Sequence, residues 1–289
     1  MTRHTAAIDL GGTHVRVALV DPEGNLRHRT RAETARHDDR PDQLVDLVQA
    51  LTAEAGPGHQ CTGVVIGIPG IIDHDTEALV RAPNLNQAWI PHLRADWFEQ
   101  RLGLPVALAN DADLAAVGEA FFGAGRHHRD VVYVTISTGV GAGAVFDGSL
   151  VRGRRSGSEI GHTIVDLDAA RSGQPATVEE LGAGPAIAKA AAAAGLVERD
   201  GALADLVRSG HQAACQLWER AIDAVAVGIT NVAWLLAPDV VVVGGGVGAN
   251  NPELILPRIA SWLERHGPAV AEPIAVAPVE LGDDAALDR

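Results

Sequence analysis

The sequence is poor in the residues that mark several classes of protein. Cys61 and Cys215 are its only cysteines, and they lie outside any CxxC spacing, so we predict neither a disulfide framework nor a cysteine-rich zinc cluster. No apolar run approaches the length of a membrane span, and the N-terminus has no basic segment followed by an apolar stretch. We therefore expect a cytoplasmic protein that does not bind membranes.

Basic residues are also scarce. Lys and Arg number 23 against 37 Asp and Glu, which gives a formal net charge of −14. A chain of this charge repels nucleic-acid backbones, so we expect no nucleic-acid partner. A Walker-type phosphate loop needs Lys after Gly, but the only lysine, Lys189, follows Ala188 in a helical pattern. Any bound phosphate must be met by backbone N–H groups, Mg²⁺ and arginine.

The remaining composition is that of an α/β protein with an internal duplication. The 289 residues predict about two domains. The chain opens with a β-meander of three short antiparallel strands at residues 6–10, 15–20 and 26–30, and helices then alternate with buried strands. From Asp130 the strand, the Gly/Thr turn and the second strand recur. We interpret this as two similar lobes facing a cleft.

Three further predictions concern single elements. Residues 71–89 are predicted to be irregular, and residues 178–194 and 212–236 are each predicted to form one helix, the second being the longest amphipathic run.

Two glycine-rich turns are the first candidates for ligand binding. They are Asp9-Leu10-Gly11-Gly12-Thr13 and Ser137-Thr138-Gly139-Val140-Gly141. Glycine lets the backbone approach a ligand and present N–H groups to an anion, although a single Gly-Gly hairpin is more often only a turn. The repetition favours two loops that hold a triphosphate between the lobes. Asp9 would then order the hydration shell of a Mg²⁺ ion.

A third glycine run follows an apolar strand predicted at residues 240–243. Gly244, Gly246 and Ala249 imitate the dinucleotide fingerprint GxGxxA, but Pro252 and Pro257 interrupt the helix that this fingerprint should open. We favour a turn beside an adenosine group. The dehydrogenase alternative predicts a nicotinamide cofactor.

Polar residues supply the candidates for catalysis and sugar binding. Asn110-Asp111 lies where a predicted strand gives way to a helix, so the pair is either an N-cap or places Asp111 to accept a proton from a hydroxyl nucleophile. Glu159, His162 and Glu179 are consistent with hydrogen bonds to sugar hydroxyls. A lone His is more often structural, and Glu179 at a helix start could merely favour the helix dipole.

Five motifs, in their order along the chain, resemble the ROK family (repressors, open reading frames, sugar kinases). They are the two glycine-rich turns above, Asn110-Asp111, Glu159-Ile160-Gly161-His162 and Val243-Gly244-Gly245-Gly246-Val247. The resemblance spans essentially the whole chain. It implies a two-lobed, actin-like ATPase fold of the ribonuclease H-like class, and phosphorylation of a hexose or an N-acetylhexosamine by ATP with Mg²⁺. It also implies that the protein is often a homodimer.

The resemblance also assigns site residues. Asp111 becomes the catalytic base for a sugar hydroxyl, with the 6-hydroxyl as the expected acceptor. The sugar contacts become Gly70, Asn84, Asn110, Asp111, Glu159, His162 and Glu179. The ATP contacts become Asp9, Gly11, Gly12, Thr13, Thr138, Gly139, Gly141, Gly244, Gly245 and Gly246. We expect the N-terminal lobe to cover residues 1–112 and the C-terminal lobe residues 113–289.

The sequence departs from the family pattern in two places. Members usually carry a three-cysteine zinc motif before the last sugar-binding Glu, but residues 167–177 read LDAARSGQPAT. Since His162 is the only family-type ligand left, we expect no structural zinc. The tail also ends at Arg289, where family members tend to continue into a helix.

One alternative function comes from the same family. Its regulators sense sugars and bind DNA through an N-terminal helix-turn-helix, but no basic recognition helix precedes the first predicted strand here. A non-catalytic sugar sensor without its DNA-binding part is the alternative to a kinase. The presence of Asp111 argues against it.

Overall fold

A computed structural model of the chain describes residues 2–35, 37–154, 159–196, 202–269 and 272–282. These residues fall into two compact units. Unit 1 contains the described residues up to Phe122 and residues 150–154, and unit 2 contains residues 123–149 and the described residues from 159 to 282. The boundary expected between residues 112 and 113 falls inside one helix, which belongs to unit 1 as a whole. The expected tail after residue 282 lies outside the described residues.

Unit 1 is built on a five-stranded sheet with the order β3-β2-β1-β4-β7. The first three strands pair antiparallel, as predicted, and β4 and β7 continue the sheet in parallel. The strands of this sheet are β1 (Thr2–Leu10), β2 (His14–Val20), β3 (Leu26–Glu33), β4 (His59–Ile68) and β7 (Val106–Asn110). Its helices are α1 (Asp42–Ala55), α2 (Ala95–Leu102) and α3 (Asp111–Phe121).

The prediction of irregular structure for residues 71–89 is wrong. Here β5 (Ile71–Asp73) and β6 (Ala78–Arg81) form an antiparallel hairpin, and a 3₁₀-helix covers Gln87–His92. Trp89 of this 3₁₀-helix is fully buried, as is Phe98 of α2. The segment therefore contributes to the core of unit 1, because burial of an aromatic side chain stabilises even a short element.

Unit 2 repeats the sheet of unit 1. Its five strands have the order β10-β9-β8-β11-β12, with β8 and β9 antiparallel and β11 parallel to both β8 and β12. The strands are β8 (Asp130–Ile136), β9 (Val140–Phe146), β10 (Ser149–Leu150), β11 (Val240–Gly244) and β12 (Ala275–Pro278). The predicted duplication is thus present in the sheet order, and the all-valine core of β11 reflects burial on both faces of a central strand.

The helices of unit 2 pack around α8 (Gln212–Leu236), which has the predicted bounds. The others are a 3₁₀-helix at Ile160–His162, α4 (Leu167–Arg171), α5 (Val178–Gly182), α6 (Gly184–Ala193), α7 (Ala202–Arg208), α9 (Gly245–Asn250) and α10 (Pro252–His266). Across the part of the chain that the structure describes, none of the helices has the length and apolar character needed to span a bilayer.

The single helix predicted at residues 178–194 is divided in two. Ala183 between α5 and α6 is extended, with φ −70° and ψ 152°. A continuous helix would lose a backbone hydrogen bond at Pro185, which has no N–H. Gly184 instead donates its N–H to the carbonyl of Ser137 at 2.8 Å, which attaches the start of α6 to the glycine-rich turn of unit 2.

Candidate active site

The first glycine-rich turn of unit 1 connects β1 to β2. Gly11 N–H donates to the carbonyl of His14 at 2.9 Å, which closes the turn. Asp9 lies directly opposite Arg16 in the ladder, and Nε and Nη2 of Arg16 donate to Asp9 Oδ2 at 2.8 and 2.6 Å. Sequence reasoning missed Arg16, although opposite charges facing each other across a predicted hairpin are a recognisable signal.

The same turn contacts the loop that contains Asn84. A Cβ atom on Gly12 would lie 2.4 Å from the carbonyl oxygen of Asn84, so glycine is required for this approach. From the other side, Thr34 donates its N–H to Thr13 O at 2.9 Å and its hydroxyl to Gly11 O at 2.7 Å. The side chains of Thr13 and Asn84 are both exposed at this surface.

Gly70, Asn110 and Asp111 lie together at the carboxyl ends of β4 and β7. Asn110 Oδ1 accepts the N–H of Ala112 at 2.8 Å, so Asn110 is the N-cap of α3, and its Nδ2 donates to Gly70 O at 3.0 Å. Asp111 is the first residue of α3, is half-buried, and accepts the same Ala112 N–H at 2.9 Å. The N-cap interpretation therefore holds for Asn110 and leaves Asp111 as the candidate base.

In unit 2 the second glycine-rich turn contacts the candidate sugar residues. Glu179 Oε2 accepts the N–H of Val140 at 2.9 Å, and a Cβ on Gly139 would lie 2.5 Å from the same oxygen. A Cβ on Gly161 would lie 2.1 Å from Val140 O, so the 3₁₀-helix that ends at His162 also packs against this turn. The turn, the 3₁₀-helix and the first turn of α5 thus form one contiguous polar region of unit 2.

The charges of this region are coupled. Burial raises the pKa of the half-buried Glu159 carboxyl, the imidazole of His162 opposes this shift, and the negative charge of Glu179 adds to it. His162 itself is exposed. The structure therefore brings together Glu159, His162 and Glu179, the three sugar contacts predicted from this part of the chain. A raised pKa in a polar cluster of this kind is typical of a functional site.

A cavity of about 690 Å³ lies beside this turn, entirely within unit 2. Apolar side chains supply most of its surface. It is lined by Ser137, Thr138, Gly184, Pro185, Ile187, Ala188, Leu203, Ala204, Arg208, Trp218, Gly246, Val247, Asn250 and Asn251. Its volume and apolar walls are those of small-molecule pockets.

The three glycines at the end of β11 and the start of α9 have different roles. Gly246 lines the cavity. Gly245 has φ +78° and a Cβ there would lie 2.4 Å from Thr135 Oγ1, while a Cβ on Gly244 would lie 2.7 Å from the hydroxyl oxygen of Tyr133. The two glycines therefore let the start of α9 pack on β8. All three glycines were predicted ATP contacts, but only Gly246 of the three is among the residues that line the cavity.

Several cavity residues were not predicted from the sequence. Arg208 of α7 donates to Asn251 Oδ1 at 2.8 Å and to Glu253 Oε1 at 2.9 Å, which connects α7 to the loop between α9 and α10. Trp218 of α8 forms part of the cavity wall. No local pattern marks these residues, because the fold alone brings α7, α8 and α9 around one cavity.

The resemblance implies two metal ions, a Mg²⁺ ion with ATP and a structural zinc, and the residues present fit them to different degrees. Among the described residues, no group of three or more His, Cys, Asp or Glu side chains is arranged to hold a metal ion. Mg²⁺ is commonly bound by one or two carboxylates together with substrate phosphates, so Asp9 fits it as a single ligand through water. A structural zinc needs about four ligands, and residues 163–178 contain neither Cys nor His. The donor set does not fit zinc.

Comparison with known proteins identifies the family. The sequence profile of the ROK family matches residues 5–287. The chain belongs to the ROK family. The glucokinase of Thermotoga maritima is 28% identical over 298 residues, which cover 97% of this chain and 93% of that protein.

Solved ROK structures share the fold. The ROK hexokinase from Thermus thermophilus superposes with a TM-score of 0.84 at 28% identity, covering 98% of this chain and 95% of that one. The ROK family glucokinase from Streptomyces griseus in complex with glucose and AMPPNP has a TM-score of 0.77 at 30% identity, with 99% and 97% covered. The predicted α/β, actin-like fold class is confirmed.

Proposed function

We propose that this chain transfers the γ-phosphoryl group of ATP to the 6-hydroxyl of a hexose or an N-acetylhexosamine, with Asp111 as the general base. Membership of the ROK family, together with the glucokinase and hexokinase relatives, makes it an ATP-dependent sugar kinase. The identity of the acceptor hydroxyl, of the catalytic base and of the metal ion is what we propose in addition.

One observation in unit 2 carries the proposal. The turn at residues 137–141 contacts the cavity at one end, through Ser137 and Thr138, and the polar region at the other, where Val140 donates to Glu179. A nucleotide in the cavity would therefore direct its phosphates toward the residues proposed to hold the sugar. Positioning of this kind accounts for much of catalysis in phosphoryl transfer.

The ATP contacts follow from the cavity. Its apolar wall, which includes Ile187, Leu203 and Trp218, suits an adenine ring and a ribose. We assign the phosphates to the backbone N–H groups of Thr138 and Gly139 and to Gly246. The turn Gly11–Thr13 of unit 1 is proposed as a second phosphate contact. Arg16 pairs with Asp9 beside that turn and offsets the negative charge of its carboxylate, an interaction that the sequence prediction did not include.

The sugar contacts and the base complete the assignment. Glu159, Glu179 and His162 of unit 2 are proposed to hydrogen-bond to sugar hydroxyls, and Gly70, Asn84 and Asn110 of unit 1 retain the roles implied by the resemblance. Asp111 would accept the proton of the attacking hydroxyl as the new P–O bond forms. A Mg²⁺ ion held by the phosphates and by Asp9 through water would neutralise phosphate charge. Assembly as a homodimer and a cytoplasmic location stay predictions.

A panel of sugars tests this function. ADP release is measured with glucose, fructose, mannose and N-acetylated hexosamines, with a no-sugar control, and the product is examined by ³¹P NMR for phosphorylation at the 6-position. The proposal expects ADP release that depends on at least one sugar. Tight sugar binding measured by calorimetry, without ADP release from any sugar, would instead favour the alternative function of a non-catalytic sugar sensor.

A further inference from the structure

The segment between His162 and Glu179 holds two candidate sugar residues in place without the zinc ligands that the resemblance implies. Its residues 163–177, called the linking segment below, contain neither Cys nor His. No cluster of metal-ligating side chains exists among the described residues. Other interactions must therefore fix the position of the linking segment relative to α5.

We propose that Glu180 is a positioning residue that takes over this role. Its carboxylate fastens the end of the linking segment to the first turn of α5, and so sets the positions of Glu179 and His162. The catalytic consequence of this inference rests on the proposed function, whereas its structural part does not.

The contacts of Glu180 form a capping box with Thr177. Oε2 of Glu180 accepts the N–H of Ala176 at 3.0 Å and both the N–H and the hydroxyl of Thr177 at 3.1 Å. In return, Thr177 Oγ1 accepts the N–H of Glu180 at 3.2 Å. The hydrogen bonds from Ala176 and Thr177 lower the pKa of Glu180, so the carboxylate stays ionised in the neutral range. Reciprocal bonding of this kind fixes the start of a helix.

Fixing residues 176 and 177 also fixes the other end of the linking segment. Val165 N–H donates to Ala176 O at 2.8 Å, and Val178 N–H donates to Thr163 O at 3.0 Å. Thr163 directly follows His162. Glu180 is therefore connected to His162 through two short steps of backbone hydrogen bonding, and the imidazole and the Glu180 carboxylate also interact electrostatically.

The position of Glu179 depends on the same cap. The preceding residue, Val178, is fully buried, and a Cβ on Gly228 of α8 would lie 2.8 Å from its side chain, so α5 has little freedom to slide. Rotation of its first turn is limited by the capping box and by the bond from Val140 to Glu179. Loss of the Glu180 carboxylate would remove its half of the capping box and so weaken the first of these two restraints on the orientation of Glu179.

Two substitutions of Glu180 distinguish a role in positioning Glu179 from a general role in folding. Glu180→Ala removes the acceptor, whereas Glu180→Gln keeps an acceptor oxygen of the same reach, which a capping box accepts. Asp168→Ala is the matched control, since Asp168 lies in the linking segment with a side chain that is 94% exposed. Hydrogen–deuterium exchange of residues 163–178 and 139–141 is measured with KM for sugar, KM for ATP and kcat.

The proposal expects Glu180→Ala to exchange faster in both segments and to raise the KM for sugar about fivefold, a size typical of losing one N-cap interaction. The KM for ATP should stay within twofold of that of the wild type, and both Glu180→Gln and Asp168→Ala should resemble the wild type. Exchange and sugar KM that do not change in Glu180→Ala would overturn the inference. The inference would also be overturned by about one tightly bound zinc per chain, if removing that zinc with a chelator speeds exchange and raises the KM for sugar in the same way.

The exchange experiment keeps this inference separate from the proposed function. If no sugar in the panel is phosphorylated, the kinase proposal fails, but faster exchange in Glu180→Ala that is restored in Glu180→Gln still supports Glu180 as the residue that positions Glu179. Unchanged exchange in Glu180→Ala, together with sugar phosphorylation by the wild type, would support the kinase proposal and reject the role of Glu180.

Discussion

Asn110 and Asp111 share one helix start, but their side chains have different tasks. Both ends of the Asn110 amide are used, since Oδ1 caps α3 and Nδ2 holds the carbonyl of Gly70. The cap sets the direction of the first turn, on which Asp111 lies. The sequence predicted the pair, because Asn-Asp at a strand–helix junction is a recognisable signal. The sequence alone could not distinguish the N-cap from the candidate base, because the contact that identifies the role of Asn110 is with Gly70, 40 residues away in the chain.

We expect Asp111→Asn to fold and bind ATP normally but to lose most of its turnover. Asn occupies the same space and cannot accept the proton, so kcat should fall by ~10²–10⁴-fold, the range for a general base. The measurement is kcat and KM on the best sugar of the panel. Asp96→Asn is the control, because Asp96 also lies in the first turn of a helix in unit 1 and pairs with Arg94 at the surface. A near-normal kcat in Asp111→Asn would remove Asp111 from the mechanism.

A methyl group at Gly161 should disturb the polar region of unit 2. Its Cβ would lie 2.1 Å from the carbonyl oxygen of Val140, a backbone atom that cannot move without shifting the glycine-rich turn. We expect Gly161→Ala to lower the free energy of unfolding by roughly 1–3 kcal/mol, as overpacking does, and to raise the KM for sugar.

Gly58→Ala is the control for that change, since a Cβ there has no atom within 4 Å. Chemical denaturation and steady-state kinetics measure both variants. The control should lie within about 1 kcal/mol of the wild type. Equal stability of the two variants would show that the contact between Gly161 and Val140 is not tight.

At the scale of elements, long periodic segments were predictable and short ones were not. Helix α8 has its predicted bounds because an amphipathic pattern sustained over 25 residues outweighs local propensities. The hairpin of β5 and β6 was missed, because strands of three and four residues are too short to show alternation. The break at Ala183 was also missed, although Pro185 and the glycines on either side of Ala183, Gly182 and Gly184, signal it.

The turn between β2 and β3 depends on one buried carboxylate. Asp21 accepts the N–H of Asn25 at 2.8 Å and pairs with Arg27 at 2.6 Å. Burial raises the pKa of Asp21, but the hydrogen bonds from Asn25 and then Arg27 outweigh it and lower the pKa to about 2. In the unfolded chain the carboxyl of Asp21 has its ordinary pKa of 3.8, so this stabilisation is complete above that pH and is lost as pH falls toward 2.

We therefore expect Asp21→Asn to be less stable than the wild type by an amount that is constant between pH 5 and 8, which lies above both pKa values. The difference should shrink below about pH 4, because the wild type then loses the same charge. Urea denaturation of both proteins at a series of pH values measures it. A gap that persists unchanged at pH 3 would contradict the assignment of this interaction to the ionised carboxylate.

At the scale of the whole molecule, the duplication could be predicted from the sequence and the cavity of unit 2 could not. The recurrence of a Gly/Thr turn between two strands predicted the shared order of both sheets, because turn chemistry and strand period repeat together. The cavity draws Trp218 from α8, Arg208 from α7 and Asn250 from α9, and only packing brings them together. Family resemblance supplied the site assignments that no local pattern could.

A turn that contacts both ligands, as we propose for residues 137–141, should couple their binding. Ser137 and Thr138 line the cavity, and Val140, two residues on, holds Glu179. A nucleotide that orders this turn reduces the entropy loss that remains for the sugar, which gives positive coupling. We expect AMPPNP to tighten sugar binding by a factor of about 5–150, and sugar to tighten AMPPNP binding by the same factor, because linkage is reciprocal.

Calorimetric titration of each ligand, with and without the other, measures both factors. In Glu179→Ala the acceptor for the Val140 N–H is lost, so this factor should fall toward one even where each ligand still binds. Wild-type affinities that are independent of the other ligand would show that the turn at residues 137–141 does not connect the two sites.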